Sequence, residues 1–227
     1  MLERRVITDQ ELDSFVSKSP FVHYMKTSSW GRFKSETDHM TYTCLGFFQS
    51  KVICATAMVL SGSFLGHNYL YIPKGPCLDY SDAALRNDVF ASLKEYARNE
   101  NVQFLRVDPD VIRVSRTITG ERTDEINNEF VTAQLIDLGY HHRGYNYAYD
   151  GSWTNRYTLI IDISGSMDEI ISRFSKQRKT SLNRHRISGV RTRSATSEDL
   201  DSLMLFENML SQQDAFSRIP EPSLNLY

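Results

Sequence analysis

This sequence is short of the features that most directly assign a function. No apolar run approaches the roughly 18 residues that a membrane span requires. The opening Met-Leu-Glu-Arg-Arg has no apolar core of a signal peptide. The expectation is therefore a cytoplasmic protein without a transmembrane helix. Cysteine is scarce: Cys44, Cys54 and Cys77 are odd in number and lack metal-like spacing, so they read as reduced thiols. His141-His142 has no third ligand at a suitable distance in the sequence, and no metal site is expected. There is no glycine-rich dinucleotide fingerprint and no P-loop. No serine lies in a Gly-x-Ser-x-Gly elbow. A bias of charge is missing too: 26 Lys and Arg against 28 Asp and Glu leave a net charge of −2. What is present is 227 residues at 41% hydrophobic, enough for one large or two small domains with a sizeable core.

The most informative stretch is Tyr71-Ile-Pro-Lys-Gly-Pro-Cys-Leu-Asp-Tyr80. Hydrophobic residues run into Pro73, and Pro73 and Pro76 end any central strand pairing there. Gly75 lets the backbone pass close to a neighbour. Lys74 sits at the tip of the turn, and Ser81 or Asp82 can cap the helix that follows. A stop of this kind marks either the lip of a sheet, where ligands bind, or a plain loop with a solvated lysine.

Around it the pattern alternates strands and helices. A short helix is read over Gln10–Ser17, an extended segment from Ser19 to Tyr24, and a helix over Trp30–Lys34 capped by Ser28 or Ser29. Strands are read over Thr41–Phe48 and Lys51–Leu60, with Gln49-Ser50 as the turn, and over Tyr69–Ile72. Ser81–Asn99 is the clearest helix, with Leu85, Val89, Leu93, Tyr96 and Ala97 at helical spacing. A strand over Val102–Val107 ends at Asp108-Pro109, and a helix over Glu125–Leu138 ends at Gly139. Further strands are expected over Tyr145–Tyr149 and Arg156–Ile163. A helix capped by Ser166 with Glu169 follows, and another begins near Ser197. The fold class is α+β: a mixed sheet flanked by helices rather than a doubly wound one. The residues after Gly151-Ser152 supply one strand and two or three helices, too little for a sheet with its own core, so a fragment of something longer is expected.

Two places carry charge with chemical meaning. From Ile171 to Ser197 no residue is acidic, while Arg173, Lys176, Arg178, Lys179, Arg184, Arg186, Arg191 and Arg193 all fall inside it. Such a patch suits RNA backbone or a diphosphate, although a solvated helical face reads the same way. The second place is Asp108, which either takes a proton from an attacking amine or caps a strand end beside Arg106. Arg186-Ile-Ser-Gly189-Val-Arg191 lacks the second small residue of an acyl-CoA pyrophosphate loop, so CoA is not expected.

These pieces in order resemble the Fem-type (FemABX) peptidyltransferases. Trp30-Gly-Arg-Phe-Lys34 resembles the family's Trp-x-x-x-Lys. Tyr71-Ile-Pro-Lys-Gly-Pro76 with Asp79 resembles its Lys-Gly-Pro segment, and Phe104-Leu-Arg-Val-Asp-Pro109 its Leu-Arg/Lys-x-Asp-Pro strand end. Gly139-Tyr140 precedes a strand, as in the family. Arg156-Tyr-Thr-Leu159 with Asp162 resembles the start of its second domain, with Asn155 where the family usually has proline. Phe174 to Val190 resembles its basic helical segment.

The resemblance implies two acetyltransferase-like (GNAT-type) domains. The first covers residues 1–152 and holds the precursor cleft; the second, 153–227, is incomplete and carries the basic segment. It implies an aminoacyltransferase of cell-wall interpeptide-bridge formation, in which the side-chain amine of the stem peptide's third residue attacks the ester of aminoacyl-tRNA. No cofactor is demanded. Lys34 and Arg218 would hold the diphosphate of a UDP- or lipid-linked muramyl pentapeptide, with Lys74 and Arg106 as further substrate ligands. Asp108 would be the proton acceptor. Arg173, Lys176, Arg178, Lys179 and Arg184 would meet the tRNA. A lipid-linked precursor would place the protein at the inner face of the membrane. The competing expectations are a non-enzymatic RNA- or phosphate-binding module and a small-molecule N-acyltransferase.

Overall fold

The computed structural model of the chain describes residues 2–144, 162–189, 191 and 193–214. The chain divides into two compact units with the boundary after His142, and the second runs from Arg143 to Phe206.

The first unit is built on a five-stranded sheet. Its strands are β1 (Glu3–Val6), β2 (Thr41–Gln49), β3 (Val52–Phe64), β4 (His67–Ile72) and β5 (Phe104–Val107), in the spatial order β1-β2-β3-β4-β5. The first four pair antiparallel, and β5 joins β4 in parallel after a crossover through helix α3 (Ala83–Asn99). The expected mixed sheet is therefore present, and it owes its one parallel pair to that helix.

The two central strands bury both faces, and their side chains divide by alternation. Leu45 and Phe47 of β2 and Ala55, Ala57 and Val59 of β3 meet Leu85, Val89, Phe90 and Leu93 of α3, together with Val131 of α4 (Glu129–Asp137). On the other face Cys44, Met58 and Leu60 meet Leu12 and Val16 of α1 (Asp9–Lys18), with Trp30 of α2 (Ser28–Asp38) alongside. The sheet is thus covered by α1 and α2 on one side and by α3 and α4 on the other. α1 starts at Thr8, whose hydroxyl accepts from Glu11 N while the Glu11 carboxylate accepts from Thr8 N, a complete capping box.

Several expected boundaries move, each for a local reason. The β2–β3 turn is Ser50-Lys51 rather than Gln49-Ser50, because both residues take positive φ (49° and 69°), the primed-turn geometry that matches strand twist. β3 runs on to Phe64 because β4 pairs with it as far as His67. The second helix is longer than Trp30–Lys34, and Ser28 lies inside its first turn rather than capping it. Glu125–Asn127 is not helical: it belongs to β7 (Arg122–Asn127), which pairs with β6 (Val114–Arg116) in a separate two-stranded ribbon. α4 therefore begins at Glu129, whose carboxylate receives both Arg113 and Arg122. Gly139 follows α4 with φ +81°, the left-handed stop that glycine serves best.

In the second unit α5 (Met167–Ser172) opens on the expected capping box of Ser166 and Glu169. α6 (Lys176–Ile187) starts at Ser175, and α7 (Leu200–Asp214), which is grouped with the first unit from Glu207 on, follows a short 3-10 turn over Ser197–Asp199. The strand expected over Tyr145–Tyr149, most of the one expected over Arg156–Ile163, and Arg218 lie outside the described residues. Among the described residues no helix is long and apolar enough to cross a membrane.

Candidate functional site

The parallel pair sets the site. β4 and β5 run in the same direction, with Tyr71 opposite Arg106 and Ile72 opposite Val107, so both chains leave the sheet at one lip. Pro73 and Pro109 stop the two strands there, and Asp108 N donates to Ile72 O at 3.3 Å. The crevice beyond the carboxyl ends of parallel strands is where open α/β sheets take ligands.

Lys74 and Asp108 meet at this lip. Lys74 Nζ lies 3.6 Å from Asp108 Oδ2, with the side chains 13% and 24% exposed. Lys74 holds φ +55°, a left-handed backbone that a residue with a Cβ adopts at a cost. The Tyr71 hydroxyl donates to the same Asp108 oxygen over 3.4 Å. The Arg106 guanidinium lies over the Tyr71 ring, 4.7 Å from its centre. Burial, and then the Asp108 charge, push the Tyr71 phenol up to about 12, so it stays a hydrogen-bond donor. Three residues expected to act on substrate, Lys74, Arg106 and Asp108, are thus brought together, with Tyr71 as the group that links them.

A second segment, which carries no chemical motif in the sequence, feels the charges of this site. The connection between α1 and α2 forms a 3-10 turn over Tyr24–Lys26. Lys26 is 2% exposed, and its Nζ donates to Phe21 O at 2.6 Å. Burial lowers its pKa, as does the nearby Lys74; Cys77 and Asp110 oppose the shift. His23 is half-buried, accepts Met25 N at Nδ1 over 3.1 Å, and stacks on the Tyr24 ring. Its pKa is lowered, first by burial and then by Lys74 and Lys26, against the pull of Asp110 and Asp108. No motif announces His23 or Lys26. Their segment is fastened where Phe21 packs edge-on against Tyr80, whose hydroxyl is tied to Pro76 O.

Lys34 is held on α2 by its own partners. Its Nζ lies 2.7 Å from Asp38 and over the rings of Trp30 and Phe33, at 5.2 and 5.7 Å. α2 itself is fastened to α1: Asp13 accepts both Ser28 N (2.8 Å) and Ser28 Oγ (2.6 Å), and Asp9 accepts Arg32 at 2.6 Å. A recess of about 550 Å3 lies along this seam, lined by Asp9, Asp13 and Arg32 among others. Its carboxylates are already bonded to Ser28 and Arg32.

In the second unit the five expected nucleic-acid contacts differ in their surroundings. Arg173 pairs with Asp162 at 3.4 Å, and Lys179 donates to Ser172 O at 2.8 Å. Lys176, Arg178 and Arg184 are exposed on α6. Among the described residues no group of three His, Cys, Asp or Glu is placed to hold a metal ion.

Comparison with known proteins places this arrangement. The model of the FemAB family matches residues 7–219. The chain belongs to the FemAB family. Among the relatives of this FemAB member is the aminoacyltransferase FemA of Staphylococcus aureus (strain bovine RF122 / ET3-1). It is 24% identical over 213 residues, which cover 93% of the chain and 51% of the relative. FemA of Staphylococcus aureus strain MW2 matches to the same extent. A crystal structure of FemX matches 99% of the chain and 53% of its own, at 21% identity and a TM-score of 0.80, and so shares the fold. The chain spans about half the length of these relatives.

Proposed function

We propose that this chain is part of an aminoacyltransferase that moves an amino acid from aminoacyl-tRNA onto the side-chain amine of a peptidoglycan precursor. The observation that carries the reading is the Lys74–Asp108–Tyr71 cluster at the carboxyl ends of β4 and β5, in a chain of the FemAB family. An aminoacyl ester is already activated, so positioning and one proton transfer suffice. The amine attacks the ester carbonyl, Asp108 takes its proton and passes it to the departing tRNA oxygen, and the tRNA hydroxyl leaves as the amide forms. Lys74 and Arg106 supply cations for the substrate's anionic groups, and Lys34, Arg218 and α2 its diphosphate end. The first domain, residues 1–152, takes the muramyl pentapeptide, UDP- or lipid-linked. The second, 153–227, takes tRNA. The protein works in the cytoplasm, at the inner membrane face when the precursor is lipid-linked.

One further observation counts against the acyl-CoA rival, and a second fits a phosphate-bearing partner. An acyl-CoA enzyme holds pyrophosphate on backbone N–H groups at the start of a helix. In α3 that place is filled by carboxylates: Asp82 accepts Leu85 N, and Asp79 accepts Ser81 N. In α6 the first turn carries Lys176, Arg178 and Lys179 and no acidic residue. Cations at that end oppose the helix dipole, and a bound phosphate relieves both.

Calorimetric titration with UDP-MurNAc-pentapeptide tests the reading. Saturable binding is expected, weakened about tenfold or more in Lys74→Met, which removes a charge-assisted contact. A similar loss is expected in Lys34→Ala. Binding by the unaltered chain that neither substitution disturbs would remove the precursor from this lip.

A further inference from the structure

The Phe21–Lys26 segment is more than a connection. Its His23 lies in the field of four charged groups: Asp108 and Asp110 from the chain after β5, Lys74 from the β4 turn, and Lys26 from its own segment. The ring's Nδ1 is occupied, because it accepts the Met25 backbone N–H. A nitrogen that accepts carries no proton, so the neutral ring keeps its proton on Nε2. Nε2 has no hydrogen-bond partner among the described residues, and it is not a sealed, unsatisfied atom either. The ring therefore has a fixed tautomer and one N–H outside the protein's own hydrogen bonds, on a segment that Phe21 fastens through Tyr80 to the turn carrying Lys74.

Lys26 ties the same segment together. Its ammonium is almost wholly buried, donates to Phe21 O, and has no carboxylate within ion-pair distance among the described residues. Burying a cation with a single carbonyl partner is costly, and a loop-closing role alone is met by any small polar residue. What Lys26 adds is charge, which disfavours a second proton on His23. Capping the 3-10 turn likewise needs only an acceptor such as Asn or Ser, and does not account for an imidazole among four charges.

We propose that His23 is a substrate-binding residue, donating from Nε2–H to an oxygen of the anionic peptide precursor at the Lys74–Asp108 lip, with Lys26 as its positioning residue. The inference rests on the precursor reading above. A neutral N–H donor beside Lys74 holds a carbonyl, carboxylate or phosphate oxygen without adding a charge that would compete with the incoming amine for Asp108.

Long-range nitrogen–proton spectra of the histidine rings test it, with His23→Gln identifying the His23 signals. In the ligand-free chain His23 is expected as the Nε2–H tautomer, titrating below the ordinary imidazole value of about 6.5. The opposite tautomer would overturn the proposal before any ligand is added. On titration with UDP-MurNAc-pentapeptide the His23 Nε2 signal should move, and His23→Ala should weaken binding about fivefold, with partial recovery in His23→Gln. If other signals at the lip shift while His23 stays still, the inference fails and the precursor reading stands. If nothing moves anywhere, the precursor reading fails and His23 loses its ligand with it. For Lys26, the charge role predicts that Lys26→Met raises the His23 titration midpoint. A purely structural role would lower the melting temperature and leave that midpoint unchanged.

Discussion

At the scale of single residues the site is a matter of what burial does to polar groups. Tyr71 is held between the Arg106 guanidinium and the Asp108 carboxylate, and its phenol is pushed up to about 12. In the unfolded chain a tyrosine titrates near 10. The folded state therefore holds this proton more tightly, and that contribution is complete below about pH 10 and is lost as pH rises toward 12. Tyr42, Tyr80, Tyr96 and Tyr140 are shifted the same way, first by burial, so alkaline unfolding is shared among these tyrosines. Tyr71→Phe should cost under about 1 kcal/mol at neutral pH, since its hydrogen bond is long. Between pH 9 and 11.5 its urea midpoint should fall less steeply than that of the unaltered chain. Parallel curves would show that neither burial nor Asp108 shifts the Tyr71 phenol.

At the scale of elements, α2 depends on a cap that comes from another helix. Ser28 is wholly buried, and both its N–H and its hydroxyl end on Asp13 of α1. Asp13→Ala leaves two buried donors unmatched and should cost about 1–3 kcal/mol in urea unfolding. Asp13→Asn keeps an acceptor in place and should recover most of it; equal losses in the two variants would show that the charge, not the hydrogen bond, matters. This cap also shows where the sequence is readable and where it is not. α3 is plain in its apolar spacing, and the lip is plain in Pro73 and Pro109, because both signals are local. The Thr8–Glu11 and Ser166–Glu169 boxes are equally local. By contrast β1, Glu-Arg-Arg-Val, has no alternation to betray it and exists only because β2 offers an edge. Among the described residues the β6–β7 ribbon pairs only with itself, and its polar residues resemble the start of the helix that follows. Of the site, Lys74, Arg106 and Asp108 were legible as strand-end residues. His23 and Lys26 were not, since a chain connection delivers them from some 50 to 80 residues away in sequence.

At the scale of the whole molecule, a net charge of −2 conceals a concentration of cations between Ile171 and Ser197. The structure thins that concentration. Arg173 and Arg193 find carboxylates just outside the run, in Asp162 and Asp199, and Lys179 caps the end of α5. Lys176, Arg178 and Arg184 remain exposed on α6, with no carboxylate in ion-pair distance among the described residues. If these three meet tRNA phosphates, each contact releases counterions and steepens the salt dependence by about 0.7–0.9 per phosphate. The triple replacement Lys176→Ala, Arg178→Ala, Arg184→Ala should then flatten the plot of log K against log salt by roughly 2 to 3. It should also weaken tRNA binding far more at 50 mM than at 200 mM salt. These residues are exposed and make no core contact, so the melting temperature should hold, which separates lost contacts from lost folding. Identical slopes for the two proteins would assign the cations to solvation of α6 and count against a tRNA contact there.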